Sequence, residues 1–503
     1  MRRTLLVASL LFASTSAYAQ TIDQQGADAL AASLKRYFGQ AAFNNKIVTV
    51  SPDGDAYALG FDFQALAALA PKQVETKVNV EPYGLRLKPR TDGAWDVSGA
   101  LAPNGSFSFK GPEGQTQSSE WSIADGAFVG VFDPAIAYFS SAKGSSGAIA
   151  FASTEGATQI KTTVGSGSSD FVGKAGANGG VDIQHSQTMS DFVETITTPA
   201  GEGLPDMTIT LRAPKVDLYA SGAGFRASQM MQILAFVVEN ADEAKLKAAQ
   251  PQYKQLLLAA LPFWENVSGK YTFTDFSAET PYGTYSAGNL GFSVDMDGVS
   301  NAGKMTYSVS VSSMKLPDGM LPPWSVKIMP TDMTFHFGGA NLNLDGPTRK
   351  FIEAMDLNQD PPVSDAVGEA IVAEILASDP KMTFNDTSIR NGETEITING
   401  EATFPNLKPE VTATIEAAGF DKLEEALKTA AESDQSAAQA FTGIIAAKGF
   451  SKSLPDGKLQ WVVEAKPDGS VLVNGTMLKG PDPVAPEIPE DPKAPAPGLT
   501  NPN

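Results

Sequence analysis

Apolar residues recur at every second position through much of this chain. Met305, Tyr307, Val309 and Val311 alternate with Thr306, Ser308, Ser310 and Ser312. A strand of that pattern is sealed on one face and wet on the other. Met207, Ile209 and Leu211 repeat it, as do Ile396 with Ile398, Trp461 with Val463, and Val471 with Val473. Between such runs stand Asp53-Gly54, Asp92-Gly93, Asn104-Gly105, Asp125-Gly126, Asp297-Gly298, Asn391-Gly392, Asp456-Gly457, Asp468-Gly469 and Asn474-Gly475. Asp-Gly and Asn-Gly supply the positive φ that two-residue hairpin turns need. Their spread along the whole chain predicts antiparallel sheet with short turns.

Helical periodicity interrupts the strands. Leu30, Ala31, Leu34 and Phe38 predict a helix over residues 24–40. Residues 228–246 and 251–261 predict a helical pair split by Pro251. Val367, Ile371 and Ile375 mark a helix over 364–378, Leu423 and Leu427 one over 421–431, and Phe441, Ile444 and Ile445 one over 435–448. These faces are apolar enough to cover a sheet. The fold class expected is α+β, mainly β: long antiparallel hairpins forming curved sheets backed by amphipathic helices.

One short pattern occurs twice. A strand ends in Ala223-Gly224-Phe225, and another in Ala418-Gly419-Phe420, each with a helix following. Residues 140–180 are rich in Gly, Ser, Ala and Thr, which reads as a flexible linker or as weak edge strands. The organisation expected is a signal peptide over 1–19, an N-terminal β-rich domain over 20–140, and the Gly/Ser-rich stretch over 141–180. A central β domain with the helical pair follows over 181–345, then a C-terminal α+β domain over 346–479. The last segment, 480–503, is rich in proline and acids and is expected to be extended and disordered.

The beginning of the chain sets the compartment. Arg2 and Arg3 precede a short apolar run from Leu5 to Ala13, and Ala17-Tyr18-Ala19 fits the small-x-small cleavage rule. Cleavage is therefore expected between Ala19 and Gln20. The run is shorter than the roughly 20 residues that cross a bilayer, so no transmembrane anchor is expected after cleavage. No cysteine is present, so neither a disulfide nor a lipoprotein anchor can form. A periplasmic location fits this best, with secretion as the alternative.

Charge excludes some partners. The formal net charge is −20 and no basic cluster is evident, so binding to nucleic acid through phosphate neutralisation is not expected. The acidity is that of an exported protein kept soluble. Catalytic motifs are equally sparse. The histidines His185 and His336 belong to no metal motif, and no Gly-x-Ser-x-Gly elbow, P-loop or Rossmann fingerprint occurs. No nucleotide, cofactor or metal is expected. Asp356-x-Asn358-x-Asp360 opens like a calcium loop, but Pro361 stands where glycine is needed and Val367 where the bidentate glutamate belongs. Glu120-Trp121 and Asp275-Phe276 are acids beside aromatics, of the sort that sugar sites use.

The C-terminal third carries a resemblance. Its residues are Ile398-Asn399-Gly400-Glu401-Ala402-Thr403-Phe404, the strand Val411 to Ile415, the Ala-Gly-Phe turn, the helix pair and Gly449-Phe450. Asp456-Gly457-Lys458-Leu459-Gln460-Trp461 and Asp468-Gly469-Ser470-Val471-Leu472-Val473-Asn474-Gly475 complete it. This stretch resembles an alphaproteobacterial envelope family, domain-of-unknown-function 2125. It also resembles the wider periplasmic set that includes the domain-of-unknown-function 945 type and AsmA-type proteins. The resemblance implies a sheet with one apolar face, in some members serving lipid movement, and brings no catalytic residues.

The function expected is therefore that of a non-enzymatic cell-envelope protein binding a lipid, a hydrophobic ligand or a protein partner on an apolar sheet face. The alternatives are an exported hydrolase of cell-wall glycan or polysaccharide using an Asp/Glu pair, and a secreted adhesion or matrix protein.

Overall fold

The computed structural model describes residues 22–69, 76–110, 116–200, 206–392 and 394–483. The signal segment with Ala17, Ala19 and Gln20, and the tail beyond residue 483, lie outside the described residues.

Among the described residues the strands belong to one 26-stranded sheet, and every pairing in it is antiparallel. Neighbouring strands are mostly neighbours in sequence. The central run shows this best: Val181–Thr198 pairs Met207–Phe225, which pairs Asn266–Thr280, then Gly283–Asp297, Gly303–Ser312 and Asp332–Leu342. The molecule is thus mainly β, with antiparallel hairpins as the alternation predicts. Asp53-Gly54, Asp92-Gly93, Asn391-Gly392, Asp468-Gly469 and Asn474-Gly475 sit at hairpin ends. Asn104-Gly105 and Asp125-Gly126 do not. They interrupt long rungs in mid-sheet, and the Asn104 side chain accepts the Ile123 backbone N–H at 2.7 Å.

Residues 141–180 form neither a linker nor an edge. Their strands Tyr138–Ser146, Ile149–Glu155, Thr158–Val164 and Ser166–Ala175 have partners on both flanks. Small side chains weaken a strand taken alone. Here the backbone ladders on either side hold them, and the glycines admit close neighbours: a Cβ on Gly173 would stand 2.3 Å from the Phe139 carbonyl oxygen.

A crease crosses the middle of the sheet. The pairing registers pass over Asp191 opposite Pro214, Pro214 opposite Asp275, and Asp275 opposite Gly288. Asp191, Asp275 and Ser313, all along this line, take φ of 51°, 50° and 52°. Interruptions of this kind bend a strand and re-aim its side chains. Phe273 and Phe276 are three residues apart and strict alternation would part them, yet their ring centroids are 6.1 Å apart. Val216 and Ala213, likewise three apart, are each 1% exposed. The crease therefore keeps one face apolar on both sides of the line.

Helices leave the meander between consecutive strands. Ala227–Glu239, Glu243–Ala248 and Gln250–Ala260 fill the gap after Phe225, with Pro251 in the first turn of the third, where it costs no hydrogen bond. Asp345–Ala354 and Asp365–Ala377 fill a second gap, and Phe420–Ala431 and Gln435–Gly449 a third. Asp345–Ala354 had no expectation in the sequence. Both Ala-Gly-Phe turns are real and alike, with Gly224 and Gly419 left-handed at φ 64° and 63°. Only glycine enters that region freely.

Two cores anchor the ends of the sheet. The helix Gln24–Phe38, capped by Asp23, lays Leu30 and Leu34 on Tyr57, Leu59, Leu85, Leu87, Trp95, Val97 and Phe132. At the other end Phe420, Leu423 and Ile444 pack on Trp461, whose Nε1 donates to the Ala447 carbonyl at 2.7 Å. Each fully buried large apolar side chain contributes about 1.5–3 kcal/mol.

Candidate functional site: an uncovered apolar sheet face

Residues directly opposite in a ladder share a face. Following them across the strands traces the apolar surface. One row is Leu218, Tyr271, Phe292, Val309 and Phe335, each opposite the next. Beside it runs Val294, Tyr307 and Phe337, and Tyr307 stacks on Phe337 with centroids 5.5 Å apart. A third row is Val216, Phe273, Leu290, Val311, Met333, Ile389 and Ile396. By register this is the same face that the terminal helices cover at either end of the sheet.

In the middle the described residues leave the cover incomplete. Tyr271 is 45% exposed, Phe292 42%, Phe335 41% and Phe337 54%. These are strand residues in the body of a sheet, where such rings are ordinarily sealed. The helix Asp365–Ala377 has no buried residue at all, although it carries Val367, Ile371, Val372, Ile375 and Leu376. Large exposed apolar patches on folded chains commonly mark contact surfaces.

A cavity of about 480 Å³ lies where Gln24–Phe38 meets Ala227–Glu239 and Gln250–Ala260. Tyr37, Phe132, Met231, Phe236 and Leu256 form its apolar lining, to which Arg36 and Glu239 add charge. His185 lies on the apolar sheet face, opposite Phe171 with ring centroids 6.4 Å apart. Burial pushes its pKa down.

The residues singled out for other chemistry are scattered. Asp275 sits at the crease with positive φ, and Glu120 points from another strand onto the opposite face from Trp121. Asp356 closes its own turn, accepting from the Asn358 backbone N–H at 3.0 Å and from the Gln359 side chain at 3.0 Å. Those bonds hold its carboxyl below the usual range. His336 faces the polar side, with Nδ1 3.2 Å from the Asp386 carbonyl oxygen. Among the described residues no group of His, Asp and Glu is arranged to hold a metal, and no helix is long and apolar enough to cross a membrane. No family model, curated protein or solved structure matches the chain.

The alternation made the apolar face legible. The missing cover was not, because burial depends on what helices pack where.

Proposed function

We propose that this is an exported, periplasmic, non-enzymatic envelope protein whose central apolar sheet face takes up the acyl chains of a lipid. The observation that carries the reading is the aromatic surface of Tyr271, Phe292, Tyr307, Phe335 and Phe337, left partly exposed between two helix-covered ends. Acyl chains suit it because it is wide, apolar and free of charge along its rows. Covering such a surface gains about 25 cal/mol per Å². An adhesion protein would instead favour stacked sandwich modules, whereas these strands join a single sheet.

The test is native mass spectrometry of the full chain recovered from the periplasm under gentle extraction. The reading expects adducts that organic extraction releases as lipid. A clean apo mass, together with no uptake of an added palmitoyl probe, would overturn it, and a stoichiometric protein adduct would assign the face to a protein partner.

A further inference from the structure

The three rows of the apolar face continue toward the N-terminal half of the sheet, and there each meets polar side chains. The row of Leu218, Tyr271, Phe292, Val309 and Phe335 continues through Gln187, Ser169 and Gly144. The row of Val294, Tyr307 and Phe337 continues through Gly269, Ala220, His185 and Phe171. The row of Val216 and Phe273 continues through Met189, Gly167 and Ser146. Ser146, Ser169, Gln187 and His185 are therefore neighbours on a face whose rows are otherwise aliphatic and aromatic. No Asp, Glu, Lys or Arg stands in any of these rows.

Two glycines make room for the hydroxyls. A Cβ on Gly144 would stand 2.7 Å from Ser169 Oγ, and one on Gly167 would stand 2.9 Å from Ser146 Oγ. Each hydroxyl thus leans over the glycine of the facing strand, on the side of the sheet that carries the rows. Ser146 is 8% exposed, and its Oγ is buried without a hydrogen-bond partner among the described residues. A serine on the wet face loses nothing by such isolation, because water serves it. A buried hydroxyl does lose, and buried polar groups are ordinarily partnered. Burial also favours the neutral form of His185, whose ring then offers one N–H and one acceptor nitrogen. The Gln187 amide likewise donates and accepts. The spot is polar, uncharged and placed where the apolar rows end.

We propose that this spot holds the head of a neutral glycerolipid whose acyl chain lies along the aromatic rows. The inference rests on acyl binding to the face and adds which class of lipid is taken. Glycerol hydroxyls donate and accept and ester carbonyls accept, which complements two serine hydroxyls, an amide and a neutral imidazole. A carboxylate or phosphate head would call for Arg or Lys, and the rows hold neither. Gln187 and Phe335 are five strand spacings apart, about 24 Å at about 4.8 Å each, which leaves room for a long acyl chain laid across the strands. The buried, unpartnered Ser146 hydroxyl separates this spot from the serines and threonines of the polar face.

The experiment displaces a fluorescent palmitoyl probe from the full chain with 1-monopalmitoylglycerol, methyl palmitate, palmitate and palmitoyl-lysophosphatidylglycerol. The glyceride should bind roughly tenfold tighter than methyl palmitate, the scale of one or two hydrogen bonds, and tighter than either anion. Ser146→Ala and Gln187→Leu should each shrink that preference severalfold while circular dichroism stays unchanged. Ser146→Ala should also melt in urea no earlier than the parent, because it removes a buried hydroxyl that has no partner. Equal affinity for the glyceride and methyl palmitate, a preference unmoved in both folded variants, or tighter binding of palmitate or the lysophospholipid would overturn the head assignment and leave acyl binding standing. Failure of the probe and all four compounds to bind would overturn acyl binding and this inference with it.

Discussion

Phe337→Ser separates a binding role for the apolar face from a merely structural one. Phe337 is 54% exposed. An aromatic side chain presents about 200 Å², so roughly 100 Å² of this ring remains for a ligand to cover. At about 25 cal/mol per Å², covering it is worth about 2.5 kcal/mol, or roughly 60-fold in affinity. The substitution also removes the stack on Tyr307, a folding cost of about 0.5–1.5 kcal/mol beyond the lost area. Leu87→Ala supplies the contrast, because Leu87 is 0% exposed under the N-terminal helix. It should cost about 2–5 kcal/mol of stability and leave the affinity of the folded protein unchanged. The assay pairs a fluorescence titration with a palmitoyl probe and a urea melt of each variant. If Phe337→Ser binds the probe like the parent while remaining folded, the reasoning from exposure to binding is wrong.

Other predictions concern the crease, a tight turn and two titrating groups. Asp275→Val should destabilise by about 1–2 kcal/mol in a urea melt, because a β-branched residue is forced into the left-handed region, whereas Asp275→Gly should not. Gly298→Ala should destabilise strongly, since its Cβ would stand 1.7 Å from the Trp264 carbonyl oxygen; a melt indistinguishable from the parent would contradict the turn geometry. The Asp55 carboxyl is held down to about 2, first by its bond to Lys88 and then by Arg86. Its contribution is present above the ordinary value of 3.8 and is lost as pH falls through about 2; Lys88→Ala should return its carbon-13 titration toward 3.8. Burial lowers the His185 pKa, so the unfolded chain takes up that proton first and stability declines as pH drops below 6.5. His185→Phe should flatten that part of the stability curve.

Local patterning made most of the fold legible. The strand Gly303–Ser312 alternates as its residues require, and the helices beginning near Gln24, Ala227, Asp365, Phe420 and Gln435 follow their apolar spacing. The Ala-Gly-Phe turns were visible because only glycine serves at that φ. Two features escaped local patterning. Residues 141–180 read as a linker or as weak edge strands because Gly and Ser carry no packing signal, whereas their place inside the sheet comes from ladders on both sides. The crease left a trace in the three-residue spacing of Phe273 and Phe276, which alternation alone treats as noise.

On our proposal, acyl chains lie on the aromatic rows of the middle strands. Photo-crosslinking with a diazirine-bearing palmitoyl probe, mapped by peptide mass spectrometry, tests it most directly. Adducts on Tyr271, Phe292, Tyr307, Phe335 and Phe337, competed away by unlabelled palmitoyl lipid, are the expected result. Adducts confined to Thr306, Ser308, Ser310 and the rest of the polar face, or labelling that excess lipid does not reduce, would contradict it.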